Sequence, residues 1–265
     1  YIFILSPGAT AIIQTIIIAE ENSRLTFAEQ CYSGIGAESF HSSLIEIQLK
    51  ESAYVDYVSA QNFSQNTTSI TTNRAVAGRN ARVNWVIGRL GAKLSKTVRD
   101  TVLAGEGSEV DDTEVFFGSD RQHFDITSNI KHTVPHTRGN VLVKGVLKDK
   151  ARSVSQGMIR IDKGAQKTDS FLAEHTLMLN PEARSDAIPG LEIEANDVRA
   201  THSASTSQID REQIFYLTSR GVDEDEAKKL IVLGFLESAL HRISDVTVSE
   251  QFKSMIEKKW DGSRP

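Results

Sequence analysis

From Tyr1 to about Ile209 the chain alternates short runs of β-branched and aromatic residues with clusters of Asn, Gly, Ser and Asp. The clearest runs are Leu25–Phe27, Leu44–Leu49, Tyr54–Val58, Val83–Ile87, Glu114–Phe117, Val141–Leu147, Met158–Ile161 and Leu191–Ile193. Tyr1–Ala19 reads as two strands joined by a turn at Ser6-Pro7-Gly8. No stretch between the runs carries the 3.6-residue period of a three-turn amphipathic helix, which leaves a sandwich, a propeller or a solenoid. One internal repeat favours the solenoid. A Leu or Val followed by Thr, Asp or Asn recurs at Leu25-Thr26, Val55-Asp56, Val83-Asn84 and Val110-Asp111, with spacings of 30, 28 and 27 residues. Stacked β-coils produce such spacing, because each coil needs its neighbours to bury its apolar side. The expectation is one continuous parallel β-helix with strands of about three to seven residues.

The pattern changes at Ile209. Asp210, with Gln213 three residues on, has the form of a capping box, and Ile214, Phe215 and Leu217 give a first helix its apolar face. Gly221 ends that helix as a left-handed cap. Asp223 opens a second helix, where Asp223, Glu224, Asp225 and Glu226 suit the positive end of the dipole. A third amphipathic stretch runs from Ser249 to about Trp260. The expected organisation is a β body over residues 1–209 and a helical region over 210–265.

Composition narrows the function classes. With 30 basic against 35 acidic residues the net charge is −5, which argues against a nucleic-acid binder. The single cysteine, Cys31, excludes an internal disulfide framework and fits a reducing, cytoplasmic setting. It also cannot by itself supply the thiolates that usually hold an iron–sulfur cluster. Thr10–Ala19 is too short and too interrupted to span a membrane, which takes ~20 residues, and no secretion signal is recognisable. Tyr1 in place of an initiator Met leaves open what precedes it.

Candidate chemistry is sparse. His132 and His136, with His123 nearby, are half of a metal site on paper, but Pro135 between them breaks the strand that would align them. His202, near Asp197, Ser203 and Ser205, has the residue types of a hydrolytic triad without a nucleophile elbow. Gly88, Gly91, Gly105 and Gly107 match no phosphate-loop spacing. A nucleotide, if one is involved, is expected on another protein.

The second half of the chain carries a resemblance. In order it reads Lys144-Gly145-Val146-Leu147, Gly157-Met158-Ile159-Arg160-Ile161, Ala165-Gln166-Lys167-Thr168-Asp169, Leu177-Met178-Leu179, Pro189, Leu191-Glu192-Ile193, Asp197-Val198, His202-Ser203-Ala204, Phe215-Tyr216-Leu217 and Ser219-Arg220-Gly221. This ordered set closely resembles the core of SufB and SufD, the scaffold proteins of iron–sulfur cluster assembly. The resemblance implies a right-handed parallel β-helix followed by C-terminal helices. It also implies a cytoplasmic, non-catalytic scaffold that binds the ABC-type ATPase SufC through those helices. The partner would be a SufB-like subunit or a second copy of this chain, and the cargo a transient iron–sulfur cluster not firmly held by one chain. Thr206-Ser207 and Gly221–Ala227 lean toward SufB. Ala183 stands where the resemblance to SufB would place a cysteine, and Ser203 where it would place a glutamate, so the chemistry is SufD-like or that of a merged form. His202 is the matching functional candidate.

Two further expectations follow. The second helix has more apolar residues than one narrow stripe holds, so Leu230, Leu233, Phe235 and Leu236 are candidates for partner docking. The last coils, near Leu191–Ser207, are expected to self-associate, because a solenoid end exposes unpaired strand edges. The rival readings are a structural solenoid without a cluster role and, more remotely, a carbohydrate-active β-helix enzyme. The latter would need clustered groove carboxylates that do not stand out here.

Overall fold

The computed structural model describes residues 1–242 and 246–262. Among the described residues fifteen strands precede three helices. In chain order they are β1 (Ile2–Leu5), β2 (Thr10–Ala19), β3 (Arg24–Ser33), β4 (Ser39–Leu49), β5 (Tyr54–Asn62), β6 (Thr67–Ala77), β7 (Arg82–Arg89) and β8 (Leu94–Leu103). The series continues with β9 (Glu109–Gly118), β10 (His123–His132), β11 (Arg138–Leu147), β12 (Arg152–Ile161), β13 (Asp169–Met178), β14 (Arg184–Ile193) and β15 (Arg199–Gln208).

Odd-numbered strands form one eight-stranded sheet and even-numbered strands a seven-stranded sheet, each in sequence order. Every pairing is parallel. Each coil is therefore one strand, a corner, a strand in the facing sheet and a second corner. The repeat read from the sequence is a physical column: Leu25 pairs with Val55, Val55 with Val83 and Val83 with Val110. The column continues through Gly139, Ser170 and Ala200. The corners absorb the drift in spacing. Asn22, Ser52, Asn80, His136 and Lys167 adopt left-handed φ there, and each donates its N–H to a carbonyl of the next coil.

Strand length departs from expectation. Most strands run ten residues, well beyond three to seven. Thr67-Thr68-Ser69 of β6 and Ser95-Lys96-Thr97 of β8 read as polar, yet they join the ladder. Backbone pairing with the coils on either side satisfies the interior strands whatever their side chains, so hydrophobic runs mark only the centres of strands.

Two cores result. The inner one lies between the sheets, around Val55, Trp85, Phe116, Phe124, Ile126 and Leu172. The outer one lies on the eight-stranded sheet, whose strands β5, β7 and β9 are buried on both faces. Helices α1 (Arg211–Thr218), α2 (Glu224–Leu240) and α3 (Val246–Trp260) follow β15. Val232, Leu236 and Leu240 of α2, with Phe252, Met255 and Ile256 of α3, pack on Val58, Val86, Val115 and Phe117. Gly88 makes room for this: a Cβ there would lie 2.1 Å from the Phe252 ring. Asp210 and Asp223 cap α1 and α2 by accepting from the backbone N–H two residues on. Helix α3 begins three residues before the expected Ser249, at Val246.

Candidate functional site

The solenoid ends abruptly at its last coil. Among the described residues β15 is hydrogen-bonded only to β13, and β14 only to β12, so each presents an open edge. His202 is in register with Leu172, a residue of the inner core, and hence shares its inward face. With no further coil above it, His202 is exposed to solvent.

One strand below lies a group that sequence reading missed. Glu174 of β13 is only 2% exposed, and its Oε2 has no hydrogen-bond partner among the described residues. It faces inward, where a Cβ on Gly157 of β12 would lie 3.2 Å from its Oε1 and 2.1 Å from Leu172 Cδ1. The absence of that Cβ leaves space for the carboxyl. Glu174 and His202 thus share the inward face of the last two coils, one strand and two residues apart in register. No motif flags Glu174, because only the turns before and after β13 bring it under the open end.

Burial pushes the Glu174 carboxyl up from 4.5 to about 7. The folded value lies above the unfolded one. Its stabilising contribution is therefore complete below about pH 4.5 and is lost as pH rises to about 7. Glu174→Gln carries no charge, so it should raise the melting temperature over wild type at pH 8 and much less at pH 5. Thermal melts at both values check this; an equal shift at both would show that the buried carboxyl is not held protonated.

The other histidines do not join this site. His132 is fully buried, with Nδ1 2.7 Å from Thr137 Oγ1 and Nε2 3.2 Å from Ser170 Oγ. Desolvation lowers it to about 4, so it is a neutral core residue with both nitrogens occupied. His136 sits at a corner with φ 58, where its N–H pairs with the Gln166 carbonyl. His123 begins β10 on the outer face. Ala183 is buried in the inner core and Cys31 in a small cluster with Phe63 and Ala92. The triad residues also have other partners: Ser205 Oγ lies 2.7 Å from His175 Nδ1, and Asp197 pairs with Lys167. Among the described residues no three His, Cys, Asp or Glu side chains come together to hold a metal ion.

The helical candidates divide. Leu236 is fully buried against the β body, which corrects its assignment as a docking residue. Leu233 and Phe235 are half-buried on the same outer core. Lys144 Nζ stands 4.5 Å over the Phe235 ring and donates to the Phe235 carbonyl at 2.7 Å. Only Leu230, at 45% exposure, faces solvent broadly. Helix α1 buries no residue at all, and its Phe215 and Tyr216 are 72% and 56% exposed. A cleft of about 480 Å³ beneath α1, lined by Leu179, Ile209 and Ile214, extends this apolar surface. None of the described helices is long and apolar enough to cross a membrane.

Residues 3–235 match the family described as SUF system FeS cluster assembly, SufBD core domain. A protein of Staphylococcus saprophyticus named iron–sulfur cluster assembly SufBD family protein is 33% identical over 225 residues, 84% of this chain and 48% of the relative. A Staphylococcus epidermidis protein of the same description is 32% identical over the same shares. The chain therefore spans about half the length of the curated relatives it matches. With a family match across nearly the whole solenoid and into α2, the chain belongs to the SufBD family of iron–sulfur cluster assembly proteins.

Proposed function

We propose that this chain is a non-catalytic, cytoplasmic scaffold subunit on which a nascent iron–sulfur cluster is assembled, with ATP hydrolysed by a SufC-type partner. The observation that carries the reading is the open last coil of a SufBD-family solenoid, with His202 exposed on it and Glu174 buried beneath. A cluster usually takes several ligands, and these two side chains make an incomplete set. A second chain, a SufB-like subunit or another copy of this one, would complete the set by pairing at the open β14 and β15 edges. The exposed aromatics of α1 and Leu230 of α2 supply the docking surface for the ATPase.

The test is anaerobic co-purification of the full-length protein with the ATPase and a SufB-like subunit, reading iron, sulfide and stoichiometry together. His202→Ala should lose most of the iron and sulfide while retaining the ATPase, because His202 lies on β15 and not on the helices. Full retention of iron and sulfide by that variant would leave the reading of a structural solenoid without a cluster role.

A further inference from the structure

The last turn of α3 closes a cleft of about 510 Å³ against the corners of successive coils. Phe63 and Leu90 line its apolar side, and Asn62, Gln122 and Asp120 its polar side. Lys258 and Lys259 enter from the helix. Lys259 is half-buried as a residue, with its amine end enclosed. Its Nζ donates to the Leu90 carbonyl and, at 2.6 Å, to Gln122 Oε1, and lies 5.6 Å from the centre of the Phe117 ring.

Both acceptors are neutral. An ammonium has three N–H groups, so one is left without an acceptor among the described residues. No carboxylate forms an ion pair with Lys259 among the described residues, although Asp120 acts on it from farther away. Burial pushes the amine down to about 7. Lys258 is exposed beside it, and these two lysines and Asp120 are the charged side chains lining the cleft. An enclosed cation without a counter-charge is unfavourable, and the fold tolerates it here at the wall of a cleft within the range of ligand sites, roughly 300–1,000 Å³.

We propose that this cleft binds a small organic oxyanion, a carboxylate or a phosphate monoester, whose charged end meets Lys259 and whose carbon body lies on Phe63 and Leu90. The site does not depend on the cluster reading. An anion favours the charged amine, so binding takes up a proton near neutral pH. Affinity falls as pH rises above 7, where the empty site holds a neutral amine.

Titration calorimetry of the full chain with inorganic phosphate and, separately, with benzoate tests this. Binding of benzoate alone assigns a carboxylate, and binding of phosphate alone a phosphate group. For benzoate, which stays an anion throughout, affinity should drop about tenfold between pH 6 and pH 8.5, with proton uptake seen as a dependence on buffer ionisation heat; phosphate itself titrates in this range, so for it the lysine variants decide. Lys259→Gln should weaken binding about tenfold or more and Lys258→Gln only two- to threefold. The pH dependence is read on the wild type, so it stands even if Lys259→Gln loosens α3. Heat from neither probe, a benzoate affinity flat with pH, or equal binding by a folded Lys259→Gln protein would overturn the proposal.

Discussion

Arg99→Met is expected to lower the stability of the solenoid by about 3–5 kcal/mol, the usual cost of leaving buried carboxylates without their cation. Arg99 lies on the inward face of β8 and is fully buried. Its Nε donates to Asp112 Oδ2 at 2.6 Å and its Nη2 to Glu114 Oε2 at 2.7 Å. Ser128 also donates to Asp112 Oδ2, at 2.5 Å. Arg89 approaches Glu114 at 3.9 Å, whereas Arg99 alone pairs with Asp112 among the described residues, so Met at position 99 would leave Asp112 without a cation. A charge left in the core without its cation is unfavourable.

The measurement is the urea midpoint, followed by far-UV circular dichroism and by the fluorescence of Trp85, which donates to Thr101 Oγ1 on the same strand as Arg99. A triple variant, Arg99→Met with Asp112→Leu and Glu114→Leu, should recover much of the loss, because a buried ion network can be replaced by apolar packing at little cost. A single variant as stable as wild type would show that the carboxylates do not depend on Arg99.

On the proposed scaffold role, Phe215→Asp or Leu230→Asp is expected to weaken binding of a SufC-type ATPase by about thirtyfold or more, since an aromatic or aliphatic anchor at an interface centre is worth about 2 kcal/mol or more. Phe215 is among the most exposed apolar side chains of the molecule and sits on a helix with no buried residue, so its loss should leave the melting temperature nearly unchanged. Phe235→Asp is a poorer probe. It would place a carboxylate on the outer core and disturb the Lys144 contact, so a binding loss there would mix undocking of α2 with loss of the interface. Titration of each folded variant against the ATPase decides. Wild-type affinity in both Phe215→Asp and Leu230→Asp would place the docking surface off α1 and off the exposed side of α2.

The solenoid was legible because stacking repeats one local demand. Every coil must offer an apolar or small residue at the same inward position, and that requirement leaves its period in the chain at Leu25, Val55, Val83 and Val110. The helix starts were legible for the same local reason, since Asp210 and Asp223 cap helices with their own side chains. The polar strands β6 and β8 were not, because their place in the ladder is set by neighbours about thirty residues away rather than by their own composition.

The sites follow the same division. The ordered motifs from Lys144-Gly145-Val146-Leu147 to Ser219-Arg220-Gly221 were sufficient to name the family, a property carried by sequence alone. That His132 is a neutral core residue, that Leu236 is buried, and that Glu174 lies buried under an open end, its Oε2 without a partner among the described residues, required the folded chain. Burial and pairing are properties of what surrounds a side chain. In a parallel solenoid those surroundings come from the coils above and below and from helices that return over the sheet, and no local pattern records them.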